Sequence, residues 1–193
     1  MREQHAQLIE GMSITSNETT WMKKDGSRVE VSVSTAPVRD EAGEITALIS
    51  VSRDITSRNP MVHCEENQLK QVFINLLKNG MEAMPDGGNI RIKLNHDEEN
   101  SRVRIEIKDE GTGIPEELMP KLGEPFFTSK ESGTGLGLMV SQRIIQSHKG
   151  MMDIKSVMNK GTTVIIDLPA SQQQPESIEE EHKTDNELTD EEN

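Results

Sequence analysis

The chain has 193 residues, 32% hydrophobic and only 2% aromatic, with 11 methionines, one cysteine and a formal charge of −13. That length allows one ordinary domain or two small ones, with a modest core packed mainly by aliphatics and methionine. The lone Cys64 excludes an internal disulfide framework and fits a reducing cytoplasm, the scarcity of clustered Lys and Arg excludes a nucleic-acid surface, and no apolar run approaches the roughly 20 residues that span a bilayer.

The opening "MREQHAQLIEG" has no signal-peptide core, so the expectation is a soluble, cytoplasmic chain with no membrane partner. A short helix fits these first residues. In "TWMKKDGSRVEVSVSTAPVRDEAGEITALISVSRDIT" the Asp25-Gly26 pair is a turn signal, and Val29, Val31 and Val33 alternate with polar residues as in a half-buried strand. A second turn at "RDEAGE" leads into "ITALISVSRDI". This predicts an antiparallel sheet of about three strands, too few to be stable by itself.

From about Met61 to Pro169 the pattern changes. Leu69, Val72, Phe73, Leu76, Leu77 and Met84 have the spacing of an amphipathic helix, closed by Pro85 and an Asp-Gly-Gly turn. "NIRIKLN" and "RVRIEIKD" alternate as strands, residues 136–148 read as a second helix stopped by Gly150, and "MMDIKSV" and "GTTVIIDLP" read as strands joined by a turn at Asn159 to Gly161. This order predicts an α+β fold, a two-layer α/β sandwich with helices on one sheet face. From Ala170 onward nine acidic residues face one lysine, a charge of −8 that leaves −5 for the rest of the chain. That composition predicts a disordered, solubilising tail over 170–193.

Three polar groupings stand out. Asn75, Asn79 and Glu82 share one face of the first long helix, opposite much of its apolar stripe. Asn disfavours helix interiors, and its neutral carbonyl oxygen suits Mg²⁺ in a site crowded with phosphate charge; a solvated polar face is the alternative. In "IKDEGTGIP" Asp109 ends a strand and is followed by Gly111 and Gly113. An Asp there can accept from an exocyclic amine while glycines let a flat ring approach, although a plain turn has the same sequence. In "EPFFTSKESGTGLGL" Gly133, Gly135 and Gly137, with Thr134, precede a helix, so backbone N–H groups and a positive dipole end converge, and Lys130 stands ready as a compact cation. The spacing is neither a P-loop nor a dinucleotide fingerprint.

Taken in order, "NLLKNGMEAM", "DEGTGIP", "EPFFTSK" and "GTGLGL", followed by "MVSQRIIQSHKG", resemble the motifs of the GHKL ATPases, most closely those of sensor histidine kinases. The resemblance covers roughly residues 65–169 within a module bounded at 61–169. It implies ATP and Mg²⁺ as cofactors, with Asn75 and Asn79 as catalytic residues and metal ligands. It further implies that Asp109 binds the adenine amino group, with Gly111 and Gly113 beside the ring. Lys130, Thr134, Gly135, Leu136, Gly137 and Leu138 would contact the nucleotide, the last four through their backbone at the phosphates. Phe126 and Phe127 would anchor a phosphate lid that is mobile without nucleotide. Gly80 departs from the family, which usually has Ala there. The segment over 1–58, ending in "DIT", resembles the C-terminal half of a PAS sensor domain. The combination resembles Bacillus-type sporulation sensor kinases.

The resemblance also implies a phosphoacceptor hairpin between the two modules, yet "DITSRNPMVHCEENQL" crosses from one to the other in about ten residues, too few for two long helices. None of the five histidines fits the acceptor motif: His5, His63 on a short approach strand, His96 in a hairpin turn, His148 ending the second helix, and His182 in the tail. The expected function is therefore the ATP-binding catalytic module of a histidine kinase. It would act on a histidine-bearing hairpin of another chain and, through it, on a response regulator. A GHKL serine kinase of the anti-sigma-factor type and a non-catalytic ATP-binding regulator are the alternatives.

Overall fold

The computed structural model describes residues 14–23, 25–56, 60–128, 130 and 133–171. The helix expected in the first ten residues, the acidic tail beyond Ser171, His5, His182, and residues 129, 131 and 132 of the glycine-rich segment lie outside the described residues.

Strand β1 (Ile14–Met22), β2 (Arg28–Arg39) and β3 (Ile45–Asp54) form the expected antiparallel meander. The Asp25 carboxylate accepts from the Ser27 backbone N–H and hydroxyl, and Gly26 takes φ 85°, which closes the first hairpin. The chain then enters helix α1 (Glu66–Glu82), strands β4 (Gly88–Asp97) and β5 (Arg102–Lys108), a short 3-10 helix (Glu116–Lys121), helix α2 (Gly137–Ser147), and strands β6 (Met151–Val157) and β7 (Gly161–Pro169). The 3-10 helix carries no apolar period and was not expected from the sequence.

The meander is not a separate sheet. Among the described residues the strands form one seven-stranded sheet in the order β1-β2-β3-β4-β5-β7-β6. β3 runs parallel to β4, from Ala47 opposite Gly88 to Arg53 opposite Leu94, and α1 serves as the crossover between them. The remaining pairings are antiparallel. The stability that three strands lack is thus supplied by the edge of β4, where buried Ala47 sits against the glycine.

Both helices cover one sheet face. Leu69, Val72 and Leu76 of α1 and Ile145 of α2 share a buried cluster with Ile90, Val103, Ile105, Ile107, Val164, Ile166 and Leu168, and Ile49 of β3 packs against it. Strand alternation sends the charged residues to the other face, where the Arg104 guanidinium holds Asp167 through two N–H donors at 2.7 and 2.8 Å. α1 ends where the pattern predicts, with Ala83 as its C-cap and Gly87 at φ 84°. α2 ends through Lys149 at φ 57°, one residue before Gly150, whose missing side chain admits Ile145 and Leu168. No described helix is long and apolar enough to cross a membrane.

Candidate functional site

Three loops meet along the C-terminal half of α1. Asp109 follows β5 and is 8% exposed. Its Oδ1 accepts the backbone N–H of Gly111 at 2.9 Å and of Thr162 at 3.0 Å, and its own N–H donates to Thr162 O at 3.0 Å. These bonds lock the carboxylate in one orientation. Among the described residues no donor is recorded for its other oxygen.

The glycines around Asp109 are there because backbone passes at contact distance. A Cβ on Gly111 would lie 2.6 Å from Ala83 at the end of α1, and one on Gly113, at φ 71°, would lie 2.2 Å from Val157 O. Thr112 bonds in both directions: its N–H donates to Ala83 O and its carbonyl accepts from Asn159 N–H at 2.7 Å. Ser156 Oγ accepts the N–H of Ile114 at 2.8 Å and donates to Gly161 O at 3.1 Å. The loop after β5 is therefore fixed to α1 on one side and to the β6–β7 hairpin on the other. Glu110 points away and binds Asn89 Nδ2 at 2.9 Å and the Arg91 guanidinium; the Asn89 bond and the Arg91 charge hold its carboxyl below the usual range.

Gly80 lies beneath Asp109. A Cβ at this position would meet Ile90 Cδ1 at 3.2 Å and Asp109 Cβ at 3.4 Å, so the glycine brings α1 close under the aspartate. One residue earlier, Asn79 Oδ1 accepts from Lys130 Nζ at 3.2 Å, and the same ammonium forms an ion pair with Glu82. Asn79, Glu82 and Lys130 thus come together at one point.

Asn75 has a different environment from the one its helical spacing suggests. Its Nδ2 donates to the buried Ser141 hydroxyl of α2 at 3.0 Å, and Gly137 lies so close that a Cβ there would sit 2.3 Å from Asn75 Oδ1. The residue joins the two helices at the N-terminus of α2. That terminus, beside Asn75, has no side-chain cap, so its first amide N–H groups are left for another acceptor. Thr134 is exposed, and Leu136 and Leu138 are half-buried, Leu138 against the core.

Phe126 and Phe127 do not form a paired anchor. Phe126 is 75% exposed at φ 64°, with the backbone of Gly135, at φ 66°, packed against its own; Phe127 is half-buried, 6.0 Å from Lys121 Nζ. An aromatic so exposed contributes little burial. The histidines also shift. His96 sits within β4, opposite Val103, rather than in a turn, and His63 follows a single bridge between Met61 and Ser171 rather than lying on a strand. His148 ends α2 with both ring nitrogens bonded: Nδ1 lies 2.7 Å from Ile144 O, and Nε2 accepts the Glu65 N–H at 3.0 Å.

Sequence reasoning missed Thr162, Ser156 and Ser141. The first two lie on strands where a hydroxyl reads as a solvent-facing residue, and Ser141 reads as one polar position on a helix. Only the register of β6 and β7 and the α1–α2 contact give them their partners.

Residues 64–172 match a family model described as histidine kinase-, DNA gyrase B-, and HSP90-like ATPase, and residues 2–57 match a PAS domain model. Sporulation kinase E of Bacillus subtilis (strain 168) is 47% identical over 133 residues, which are 69% of this chain and 18% of that protein. Sporulation kinase A of the same organism is 43% identical over 136 residues, 66% of this chain and 22% of that one. The chain thus spans about a fifth of the length of these curated relatives. Among solved structures, the catalytic domain of histidine kinase ThkA superposes with a TM-score of 0.50 at 38% identity, covering 56% of this chain and 70% of that one. The mycobacterial sensor histidine kinase MprB gives 0.52 at 26% identity, covering 56% and 76%.

Proposed function

The chain belongs to the histidine kinase-, DNA gyrase B- and HSP90-like ATPases, and on that premise we propose that its ATP-binding module transfers the γ-phosphoryl group to a histidine borne by a helical hairpin of another chain, for relay to a response regulator. The observation that carries the nucleotide assignment is Asp109, buried and aimed by two backbone donors to one oxygen. Its second oxygen is then free to accept the adenine amino group, and Gly111 and Gly113, packed against Ala83 and Val157, hold the loop that presents it. Lys130 and the backbone N–H groups of residues 135–138 receive the phosphates, with Thr134 beside them, and the uncapped start of α2 favours that charge.

Asn79 is the metal ligand in this reading. Its Oδ1 already faces a cationic group, Lys130 Nζ, and a neutral amide oxygen suits a hard divalent ion in a site crowded with phosphate charge. When bound, Mg²⁺ would neutralise charge on the polyphosphate. Asn75 supports this from behind by fixing α1 against α2 through Ser141. In the transfer, the acceptor ring nitrogen bonds to the γ-phosphorus, the bond to the β-phosphate oxygen breaks, and ADP leaves. The protein's part is positioning and charge stabilisation.

A serine-directed kinase would share the same nucleotide site. The likeness to sporulation kinases and the PAS match beside the ATPase module favour histidine. The test is Mg–ATP binding followed by incubation with a separately supplied histidine hairpin. Acid-labile label on the hairpin supports the proposal, acid-stable label supports a serine kinase, and binding without transfer leaves a regulator.

A further inference from the structure

The contact between the glycine-rich segment and α1 is made by a charge that phosphate binding alone does not explain. Lys130 Nζ is held between Asn79 Oδ1, at 3.2 Å, and the Glu82 carboxylate. Glu82 lies at the last turn of α1, and Lys78, one turn before it, reaches its other oxygen at 3.8 Å. The side chains of Lys130 and Glu82 are 38% and 40% exposed, so the pair borders solvent. A lysine meant only for a polyphosphate would gain nothing from an acid beside it, because the carboxylate cancels the attraction the lysine provides.

We infer that Glu82 is a positioning and specificity-determining residue: it fixes Lys130 beside Asn79 and makes the site demand nucleotide already complexed with a divalent cation. The inference rests on the nucleotide assignment proposed above. Metal-free ATP brings a dense negative charge toward a lysine whose charge is already matched, with a carboxylate a few ångströms away, so it meets a locally neutral or repulsive surface. A divalent cation changes that balance. Carried by the nucleotide and held by Asn79, it would offset the repulsion between the phosphates and the Glu82 carboxylate and leave Lys130 able to turn to the phosphates. The acid thus penalises the wrong ligand rather than adding a contact to the right one.

The test uses the full chain and the variants Glu82→Gln, Lys130→Gln and the double variant. Urea unfolding of the four proteins with no nucleotide gives the coupling between the two side chains, and ATP affinity is measured in Mg²⁺ and in EDTA. Glu82→Gln is expected to tighten metal-free ATP about three- to five-fold, the range of an exposed ion pair, while Mg–ATP changes less than about two-fold. Lys130→Gln is expected to weaken both forms. Unchanged metal-free affinity in Glu82→Gln overturns the inference, and so does a loss confined to Mg–ATP, which would make Glu82 a metal donor. A parent chain that binds neither form of ATP removes the nucleotide assignment and the inference with it. The unfolding cycle then shows independently whether Glu82 and Lys130 interact at all.

Discussion

Replacing Asp109 by Asn separates ligand recognition from fold stability. The side chain is 8% exposed, and its Oδ1 accepts N–H groups at 2.9 and 3.0 Å from Gly111 and Thr162. Asn keeps an oxygen at that position, so both backbone bonds survive. What changes is the second atom, from an acceptor to an NH₂ donor facing the donor amine of adenine. An unpaired polar group of this kind costs about 1–3 kcal/mol, which is about 5- to 150-fold in affinity. Stability should change by less than about 1 kcal/mol. Asp109→Ala is the contrast. It removes the acceptor of two backbone donors and should destabilise the chain by about 2–4 kcal/mol. Fluorescent-nucleotide competition reads the affinity, and urea unfolding reads the stability. An Asp109→Asn chain that folds normally and binds ATP as tightly as the parent would refute the assignment of Asp109 to adenine.

Gly113→Ala forces a Cβ to 2.2 Å from Val157 O at φ 71°, and urea unfolding should show a loss of at least about 2 kcal/mol. Gly80→Ala meets first the terminal methyl of Ile90 at 3.2 Å, so the gain in helix propensity should prevail, raising stability by about 0.5–1 kcal/mol in the same assay. Because Glu110 is held below its ordinary value of 4.5, its contribution is complete above that value and fades as pH falls beneath it; Glu110→Gln should flatten the acid limb of a stability–pH curve. Incubated alone with radiolabelled ATP and worked up in alkali, the chain should carry no phosphohistidine. His148 has both ring nitrogens engaged at the far end of the 11-residue α2, about 16 Å from its start, and label that disappears in His63→Gln would contradict this.

Much of the molecule is legible in the residues. The apolar spacing of α1, the alternation in β4 to β7 and the Asp-Gly turn of the meander each follow from a short local pattern, and the structure has them within one or two residues. The elements of the site are local as well, since Asp109 with its glycines and the glycines before α2 are contiguous in sequence. What local pattern does not carry is who faces whom. Asn75 reads like Asn79 on a helical wheel, but only the packing of α2 assigns it to Ser141. Phe126 is an anchor only by the family resemblance, and in the structure a backbone at φ 64° leaves it turned out to solvent. The 3-10 helix has an interior Pro120 and no buried residue, so it leaves no periodic trace. A parallel pairing between β3 and β4 is a long-range choice, and the turn-rich stretch between the modules reads as a border.

That pairing has a consequence for how the polypeptide can be divided. β3 and β4 are held by main-chain bonds along seven register positions, with Ile49 set opposite Ile90 within the core. The covalent link through residues 55–65 is therefore not what keeps the meander in place. A chain cut there should behave as a split protein, with the two pieces reassembling through the sheet on mixing. The β4–β7 piece alone would present a bare edge, Gly88 to Asp97, that any extended segment could occupy. Its tendency to self-associate when the meander is withheld, and to lose that tendency when the meander is returned, would express the same seven pairs as solubility.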